Sequence, residues 1–263
     1  PQFGDLPRPG DNDPHRTAIG KKAPRPTAQR RGPQPFQLVQ PDSRCPQCQA
    51  PVRAWQNIPV FSYLLLGGKC ASCRTPISKR YPLVELLTAA LFALVAWQYG
   101  WSIITLGGLL FTAMLIALTF IDADTQYLPD QITLPLIWLG LLFNLNGAFV
   151  PLSSAVLGAV CGYMSLWLLC YVYKLLTGKV GMGGGDFKLL AALGAWLGVG
   201  VLPVIVFIAA LIGVLAAVLL RVAKGQQFAF GPSLAVAGWL VFIANEKVLA
   251  ALGWWLRASG FSA

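Results

Sequence analysis

The sequence contains very little charge. Asp, Glu, Lys and Arg together make up only 11% of its 263 residues, whereas a soluble domain has about 25%. Hydrophobic residues account for 56% of the chain, and the mean hydropathy is +0.62. An ordinary soluble domain is therefore excluded, and a membrane protein is indicated.

Histidine is almost absent, since His15 is the only one. It lies within residues 1–40, which are rich in Pro, Gly, Lys and Arg and poor in large apolar side chains. Such a stretch cannot bury enough surface to offset its ordering entropy, so we expect a disordered basic arm. The chain begins with neither Met nor an apolar signal segment, which we interpret as a fragment or a processed form. A histidine-dependent active site is not expected.

Long apolar runs dominate the rest of the chain. They cover approximately residues 83–99, 103–121, 132–149, 154–176, 187–199, 201–220 and 233–252. A helix needs about 20 residues, with a range of ~17–25, to cross the hydrocarbon core. Six runs meet this length, and the short run 187–199 follows a group of glycines, so its start could belong to a loop. The prediction is an all-α polytopic membrane protein with about seven transmembrane helices.

Basic residues predict the orientation of these helices. Thirteen of the 20 Lys and Arg residues lie within residues 1–80. If the helices alternate in direction, the same side also collects five basic residues of the membrane part, namely Lys174, Lys179, Lys188, Arg221 and Lys224. The positive-inside rule makes this side cytoplasmic, so we expect a multi-pass protein of the bacterial inner membrane with its N-terminus inside. Anionic lipid headgroups explain the basic charge without a nucleic-acid partner.

Two Cys-x-x-Cys motifs occur in the polar part of the chain, Cys45-Pro-Gln-Cys48 and Cys70-Ala-Ser-Cys73. Two such turns can direct four thiolates at one tetrahedral centre, as in structural zinc sites. The short segment between them has no core of its own, so a bound metal would stabilise it. A disulfide pairing is disfavoured in a reducing compartment, and a thioredoxin-like motif would need a βαβ context.

These observations predict three regions. Residues 1–40 form the disordered arm, residues 41–80 form a cytoplasmic zinc-binding domain, and residues 81–263 form the membrane domain. Because no His or carboxylate accompanies the four cysteines, the zinc site is expected to be structural. Cys161 and Cys170 lie in a predicted crossing helix and are interpreted as packing residues.

Ionisable residues in an apolar region are costly and point to function. Before residue 246, the membrane part has Glu85, then Asp122, Asp124 and Asp130 in one segment, and Asp186 after the glycines. The predicted topology places Asp122 at the end of one helix and Asp186 at the start of another, on the same side. Two carboxyl groups that meet in a partly desolvated site share one proton. Such a pair can activate water and protonate a departing amide, as in aspartic proteases.

Other interpretations of these residues remain open at this point. Asp186 and Asp130 could be helix N-caps, Asp124 could be a solvated loop residue, and the glycines could allow close helix packing. A nucleotide site is weakly supported, because the third glycine of Gly-x-Gly-x-x-Gly is missing. An ion-coupled transporter would also use intramembrane carboxylates.

Five motifs in one order carry a specific resemblance: CPQC, CASC, KRYPLVELL, IDADTQYLPD and GMGGGDFKLLAALGAWLG. From about Phe36 to near its C-terminus, the chain resembles the bifunctional type IV prepilin peptidases. In that family one catalytic aspartate opens the motif that ends in Pro-Asp, and the other ends the Gly-x-Gly-Asp motif. The matching residues here are Asp122 and Asp186, with Asp124 as the second candidate. A presenilin-like protease is less similar, because its Tyr-Asp and Pro-Ala-Leu motifs are absent.

The resemblance implies an activity, cofactors and partners. The family removes the basic leader of type IV prepilins and type II secretion pseudopilins at the cytoplasmic face, then methylates the new N-terminus with S-adenosylmethionine. It also implies zinc at Cys45, Cys48, Cys70 and Cys73. No residue pattern of this sequence indicates a site for the methyl donor. The chain departs from the family in lacking a first transmembrane helix and in having Gln56 where Glu is expected.

Overall fold

The structure, a computed structural model, describes residues 44–45, 47–52, 60–178, 182–219, 229–244, 250 and 254. Several features named above lie outside these residues. They are the predicted arm 1–40 with His15, Gln56, Gly181, and the basic residues Lys179, Arg221 and Lys224. The chain divides into two compact units, Pro1–Val52 and Arg53–Ala263. All of the helices described below belong to the second unit.

Helices account for nearly all regular structure in the described residues, and the only β-type pairing there is two isolated bridges. The helices are α1 (Phe61–Leu65), α2 (Arg80–Tyr99), α3 (Ile103–Thr125), α4 (Asp130–Asn144), α5 (Leu152–Thr177), α6 (Gly184–Leu197), α7 (Leu202–Leu219) and α8 (Gly231–Ile243). A 3₁₀ turn at Val199–Val201 joins α6 to α7. The predicted all-α class is confirmed.

Helices α2 to α8 coincide with the seven apolar runs. Four stretches among the described residues are long and apolar enough to cross a membrane: Arg80–Tyr99, Ile103–Thr125, Leu152–Thr177 and Val199–Leu219. Helices α4, α6 and α8, at 15, 14 and 13 residues, are shorter. The membrane class is therefore supported, while the number of seven crossings stays a prediction.

Helix α6 forms the centre of the molecule. Every residue from Leu189 to Leu197 is buried, and the helix packs against α4, α5 and α8. Its contact with α5 brings the two backbones together. A Cβ on Gly158 would lie 2.8 Å from the carbonyl carbon of Gly194, and a Cβ on Gly162 would lie 2.7 Å from the carbonyl oxygen of Leu190. Small residues at this crossing permit the approach, as is typical of membrane helices.

The C-terminal end of α6 is held by Asn144, the last residue of α4. Its Nδ2 donates to the carbonyl oxygens of Ala195 at 2.9 Å and Trp196 at 3.3 Å. Its Oδ1 accepts from the backbone amides of Phe149 at 2.9 Å and Val150 at 3.1 Å. Helix α4 therefore ends five residues before the predicted run does, because this side chain organises the turn that follows. We call this region the asparagine end of α6.

Candidate active site

Two acidic side chains are buried near the other end of α6. Asp122 lies in the last turn of α3 and is 4% exposed, and Asp186 is the third residue of α6 and is 8% exposed. Leu128 packs against Gly185, the residue before Asp186, and also against Gly231, which abuts the Asp122 carboxyl group. The structure thus brings together the two aspartates that the predicted topology placed on one side. We call this region the aspartate end.

Neither carboxyl group is fully satisfied. Oδ2 of Asp122 and Oδ1 of Asp186 are buried without a hydrogen-bond partner among the described residues. Buried polar atoms in proteins nearly always have a partner, so exceptions need an explanation. Two carboxyl groups with unused acceptor positions can hold a water molecule and exchange protons with it.

Asp124 has a different environment. It lies within α3 rather than in a loop, so its interpretation as a loop residue is wrong. Its carboxylate forms a two-pronged ion pair with Arg80 at 2.8 and 2.6 Å, and the two side chains are about half exposed. The guanidinium group also lies 5.2 Å from the ring centre of Phe120. Asp124 therefore links α3 to the start of α2 instead of joining the buried pair.

The two predicted N-caps are not observed. Helix α6 is preceded by Gly183 and α4 by Pro129, and in neither helix does a side chain cap the first turn. Asp186 instead points its carboxyl group into the buried site. Asp130 is the first residue of α4, and its Oδ1 lies 2.6 Å from Nζ of Lys188 in α6. This ion pair connects the first turns of the two helices at the aspartate end.

The glycines before Asp186 have distinct surroundings. A Cβ on Gly183 or Gly184 would meet no atom of the described residues within 4 Å, so these two positions are open. A Cβ on Gly185 would lie only 2.7 Å from Cβ of Leu128. The helix-packing interpretation is not borne out at Gly185, because its close neighbour Leu128 lies in the connection between α3 and α4, whereas Gly183 and Gly184 leave free space beside the site.

Sequence reasoning missed three residues of this region: Leu128, Lys188 and Gly231. Leu128 is buried in the short connection between α3 and α4. Gly231 is the first residue of α8 and abuts the Asp122 carboxyl group. A Gly-Pro pair at the start of an apolar run does signal the start of a helix. Its proximity to a residue more than 100 positions earlier has no local signature.

The other ionisable residues lie elsewhere. Glu85 in α2 accepts a hydrogen bond from the backbone amide of Val60 at 3.0 Å and so holds the start of α1. Cys161 is exposed on α5, so its interpretation as a packing residue is wrong. Cys170 is partly buried against the core, as expected.

The two Cys-x-x-Cys loops have the same backbone geometry. In the first, the Cys45 amide donates to Ala50 at 3.0 Å and the Gln49 amide donates to Cys45 at 2.8 Å. In the second, the Cys70 amide donates to Thr75 at 2.8 Å and the Arg74 amide donates to Cys70 at 3.0 Å. The residue after the second cysteine has a positive φ in both loops, 56° at Gln49 and 59° at Arg74.

The four sulfur atoms of Cys45, Cys48, Cys70 and Cys73 all lie within 4.8 Å of one another, and no disulfide joins them. Zn–S bonds of about 2.3 Å in a tetrahedron give S···S separations of roughly 3.8 Å. The observed cluster is therefore close to the size that a tetrahedral metal requires. Its four thiol ligands fit a soft metal such as zinc.

Comparisons with known proteins agree with this arrangement. Residues 109–218 match the type IV leader peptidase family, and residues 25–99 match the bacterial peptidase A24 N-terminal domain. A protein from Neisseria gonorrhoeae, named prepilin leader peptidase/N-methyltransferase, is 72% identical over 221 residues, which cover 84% of this chain and 77% of that protein. No solved structure matches the chain significantly.

More distant relatives carry the same name. The protein from Aeromonas hydrophila is 52% identical over 81% of this chain and 75% of its own length. The protein from Pseudomonas aeruginosa is 49% identical over the same shares of the two chains. Neither the transporter nor the presenilin-like alternative is favoured by these relatives.

Proposed function

The chain belongs to the type IV leader peptidase family, and from this premise we propose that it cleaves the basic leader from type IV prepilins and type II secretion pseudopilins. Cleavage occurs at the cytoplasmic membrane face. The enzyme then methylates the new N-terminus, with S-adenosylmethionine supplying the methyl group. The names of relatives as similar as 72% support both activities.

The catalytic residues in this proposal are Asp122 and Asp186. The supporting observation is that both carboxyl groups are buried at one end of the helix array, each with an oxygen that has no partner within the described part of the chain. One ionised carboxylate removes a proton from water, which attacks the carbonyl carbon of the scissile bond. The other carboxyl group is protonated and donates its proton to the departing amide nitrogen. Because the two groups share one proton, each turnover must return that proton to the donor.

The open space at Gly183 and Gly184 gives the substrate a route to the pair. Since no atom lies within 4 Å of a Cβ at either position, an extended peptide backbone could pass beside the start of α6. Glycine permits such a close approach because it has no side chain.

Incubation of the purified protein with a prepilin tests the function directly, provided that leader removal and methyl transfer are measured separately. We expect Asp122→Asn and Asp186→Asn each to lower cleavage by roughly 10²–10⁴-fold, the usual contribution of an acid or base group, while the protein still accumulates in membranes. Asp124→Asn is the matched control. Retained cleavage in either of the first two variants would reject the catalytic pair.

We also propose a division of the chain into three regions and a zinc site in the second of them. Residues 1–40 form the arm, residues 41–80 form a cytoplasmic zinc-binding domain, and residues 81–263 form the protease domain, with the N-terminus in the cytoplasm. Cys45, Cys48, Cys70 and Cys73 hold one zinc ion, supported by their mutual distances within 4.8 Å. Zinc stabilises the fold of this domain and takes no part in peptide cleavage.

Metal analysis tests the zinc site independently of activity. We expect one zinc per chain, release of that zinc by a strong chelator, and faster alkylation of the four thiols after release. Cys45→Ser should remove the bound zinc, whereas Cys161→Ser should leave it in place. A full metal complement in Cys45→Ser would contradict the assignment.

A further inference from the structure

The first turn of α8 lies directly against Asp122. Helix α8 begins at the buried Gly231, and Pro232 occupies its second position. Amides in the first turn of a helix have no partner within the helix, and Pro232 has no N–H to offer. The amide of Gly231 thus has no partner within the helix, and the backbone at this position lies against the Asp122 carboxyl group.

The contact leaves no room for a side chain at position 231. A Cβ on Gly231 would overlap Oδ2 of Asp122, and it would lie 3.1 Å from Cγ of Asp122 and 3.1 Å from Cδ1 of Leu128. The φ angle of Gly231 does not require glycine, since it is not among the positive-φ glycines. Proximity to Asp122 is therefore the physical reason for glycine at this position.

Leu128 occupies the space between the starts of α6 and α8. Its Cδ1 approaches Gly231 of α8, and its Cβ and Cδ1 would lie 2.7 and 3.3 Å from a Cβ on Gly185 of α6. Gly185 precedes Asp186 directly, whereas Gly231 contacts Asp122. A single buried leucine therefore lies beside the backbone segments that adjoin the two acidic residues.

We propose that Gly231 is a positioning residue for Asp122, because its backbone packs directly against this carboxyl group and holds it in place. Leu128 sets the distance between the start of α8 at Gly231 and the start of α6. The proposal rests on the proposed role of Asp122 and Asp186 in peptide cleavage. The shortest contact at Gly231 is with Asp122, and Leu128 is a more distant neighbour there, whereas the close contacts at Gly185 are all with Leu128. This difference makes the two glycines distinguishable by experiment.

The test compares Gly231→Ala and Gly185→Ala, each alone and combined with Leu128→Gly, in a prepilin cleavage assay. Displacement of a catalytic group by about 1 Å can cost ~10²-fold in rate. We therefore expect Gly231→Ala to lower kcat by about 100-fold with little change in KM. Adding Leu128→Gly, which removes the Cβ together with the rest of the side chain, should not restore it, because the overlap with Asp122 remains. The same addition should restore most of the activity lost in Gly185→Ala, whose three nearest neighbours among the described residues are all atoms of Leu128.

Gly213→Ala in α7 is the matched control. A Cβ there would make ordinary contacts of 3.5–3.7 Å with Ser233 and Phe230, beside the same first turn of α8. We expect its kcat to stay within about twofold of the parent, as for most tolerated substitutions. Full activity of Gly231→Ala, or its rescue by Leu128→Gly, would overturn the proposal.

Thermal unfolding in detergent provides a second measurement that does not depend on activity. Gly231→Ala should lower Tm in the parent chain, and the decrease should shrink in an Asp122→Ala background, where the overlapping carboxyl group is gone. Equal decreases in both backgrounds would contradict the proposal. If Asp122→Asn cleaves normally, the catalytic pair itself fails. If only Gly231→Ala cleaves normally, the catalytic pair stands and the positioning role fails.

Discussion

The two ends of α6 differ in how completely their buried polar groups are hydrogen-bonded. At the asparagine end, Asn144 makes four hydrogen bonds and leaves neither amide atom unused. At the aspartate end, Asp122 and Asp186 are also buried, yet each has an oxygen without a partner among the described residues. A fully satisfied buried network makes the structure rigid, whereas an incompletely satisfied one costs stability. The comparison fits the proposal that one end stabilises the helix array and the other holds the groups that react.

The largest expected effect is at the asparagine end. Asn144→Ala removes the partner of two carbonyl oxygens and two amides, and each buried group left unsatisfied costs about 1–3 kcal/mol. Allowing for relaxation, we expect the free energy of unfolding to fall by about 2–4 kcal/mol, as measured by denaturation in mixed detergent micelles. Ser154→Ala is the control, since Ser154 accepts only one long bond of 3.4 Å from Val199. A similar loss in both variants would remove the distinction between the two ends.

An effect of opposite sign is expected at the aspartate end. Asp186→Asn replaces a buried ionisable group by a neutral one of the same shape, so the cost of burying charge disappears. The free energy of unfolding should rise by about 0.5–2 kcal/mol, as in other exchanges of activity for stability, while cleavage is lost. A clear decrease in stability would mean that this carboxyl group has a structural role comparable to that of Asn144.

The ion pair between α4 and α6 is expected to contribute less to the free energy of unfolding. Lys188→Met removes the ion pair with Asp130, whose side chain is half exposed. Partly exposed pairs contribute roughly 0.2–1 kcal/mol to stability. A double-mutant cycle with Asp130→Asn would isolate this energy, and the cycle should show the coupling weakening as salt is added. Coupling that does not respond to salt would indicate a packing role for the Lys188 side chain.

The smallest effect on stability and cleavage is expected for the exposed ion pair of Asp124 and Arg80. Asp124→Asn breaks the contact with Arg80, but exposed pairs add little to stability. Cleavage should remain within about twofold of the parent, since mutations away from buried features are usually tolerated. A loss of cleavage comparable to that of Asp122→Asn would move the catalytic assignment from Asp122 to Asp124.

The helices were largely predictable from the sequence because apolar runs of helical length have few alternative structures. All seven runs became helices, and the four cysteines came together as their spacing predicted. Helix ends were less predictable. Asn144 ended α4 early through bonds to Ala195 and Trp196, more than 50 residues away.

The candidate site was predictable in its acidic residues but not in its surroundings. Topology alone placed Asp122 and Asp186 on one side, because helices that alternate in direction bring their ends to two common layers. The pairing of Asp124 with Arg80 and the contact of Gly231 with Asp122 depend on how α2 and α8 pack. Such contacts join residues 44 and 109 positions apart, and no local pattern records them.

The burial of α6 has a consequence for how the protein is made. A helix of 14 residues is about 21 Å long, which is shorter than the ~30 Å hydrocarbon layer. It also carries Asp186 and Lys188 near its start, and acidic and basic side chains oppose insertion, with a cost that rises to about 2.5–3.5 kcal/mol at the centre of a helix. Alone, this segment would be a poor substrate for the insertion machinery. Its entry during synthesis must therefore depend on α4 and α5 already being in place, so that the chain acquires its reactive centre only after those helices have entered the bilayer.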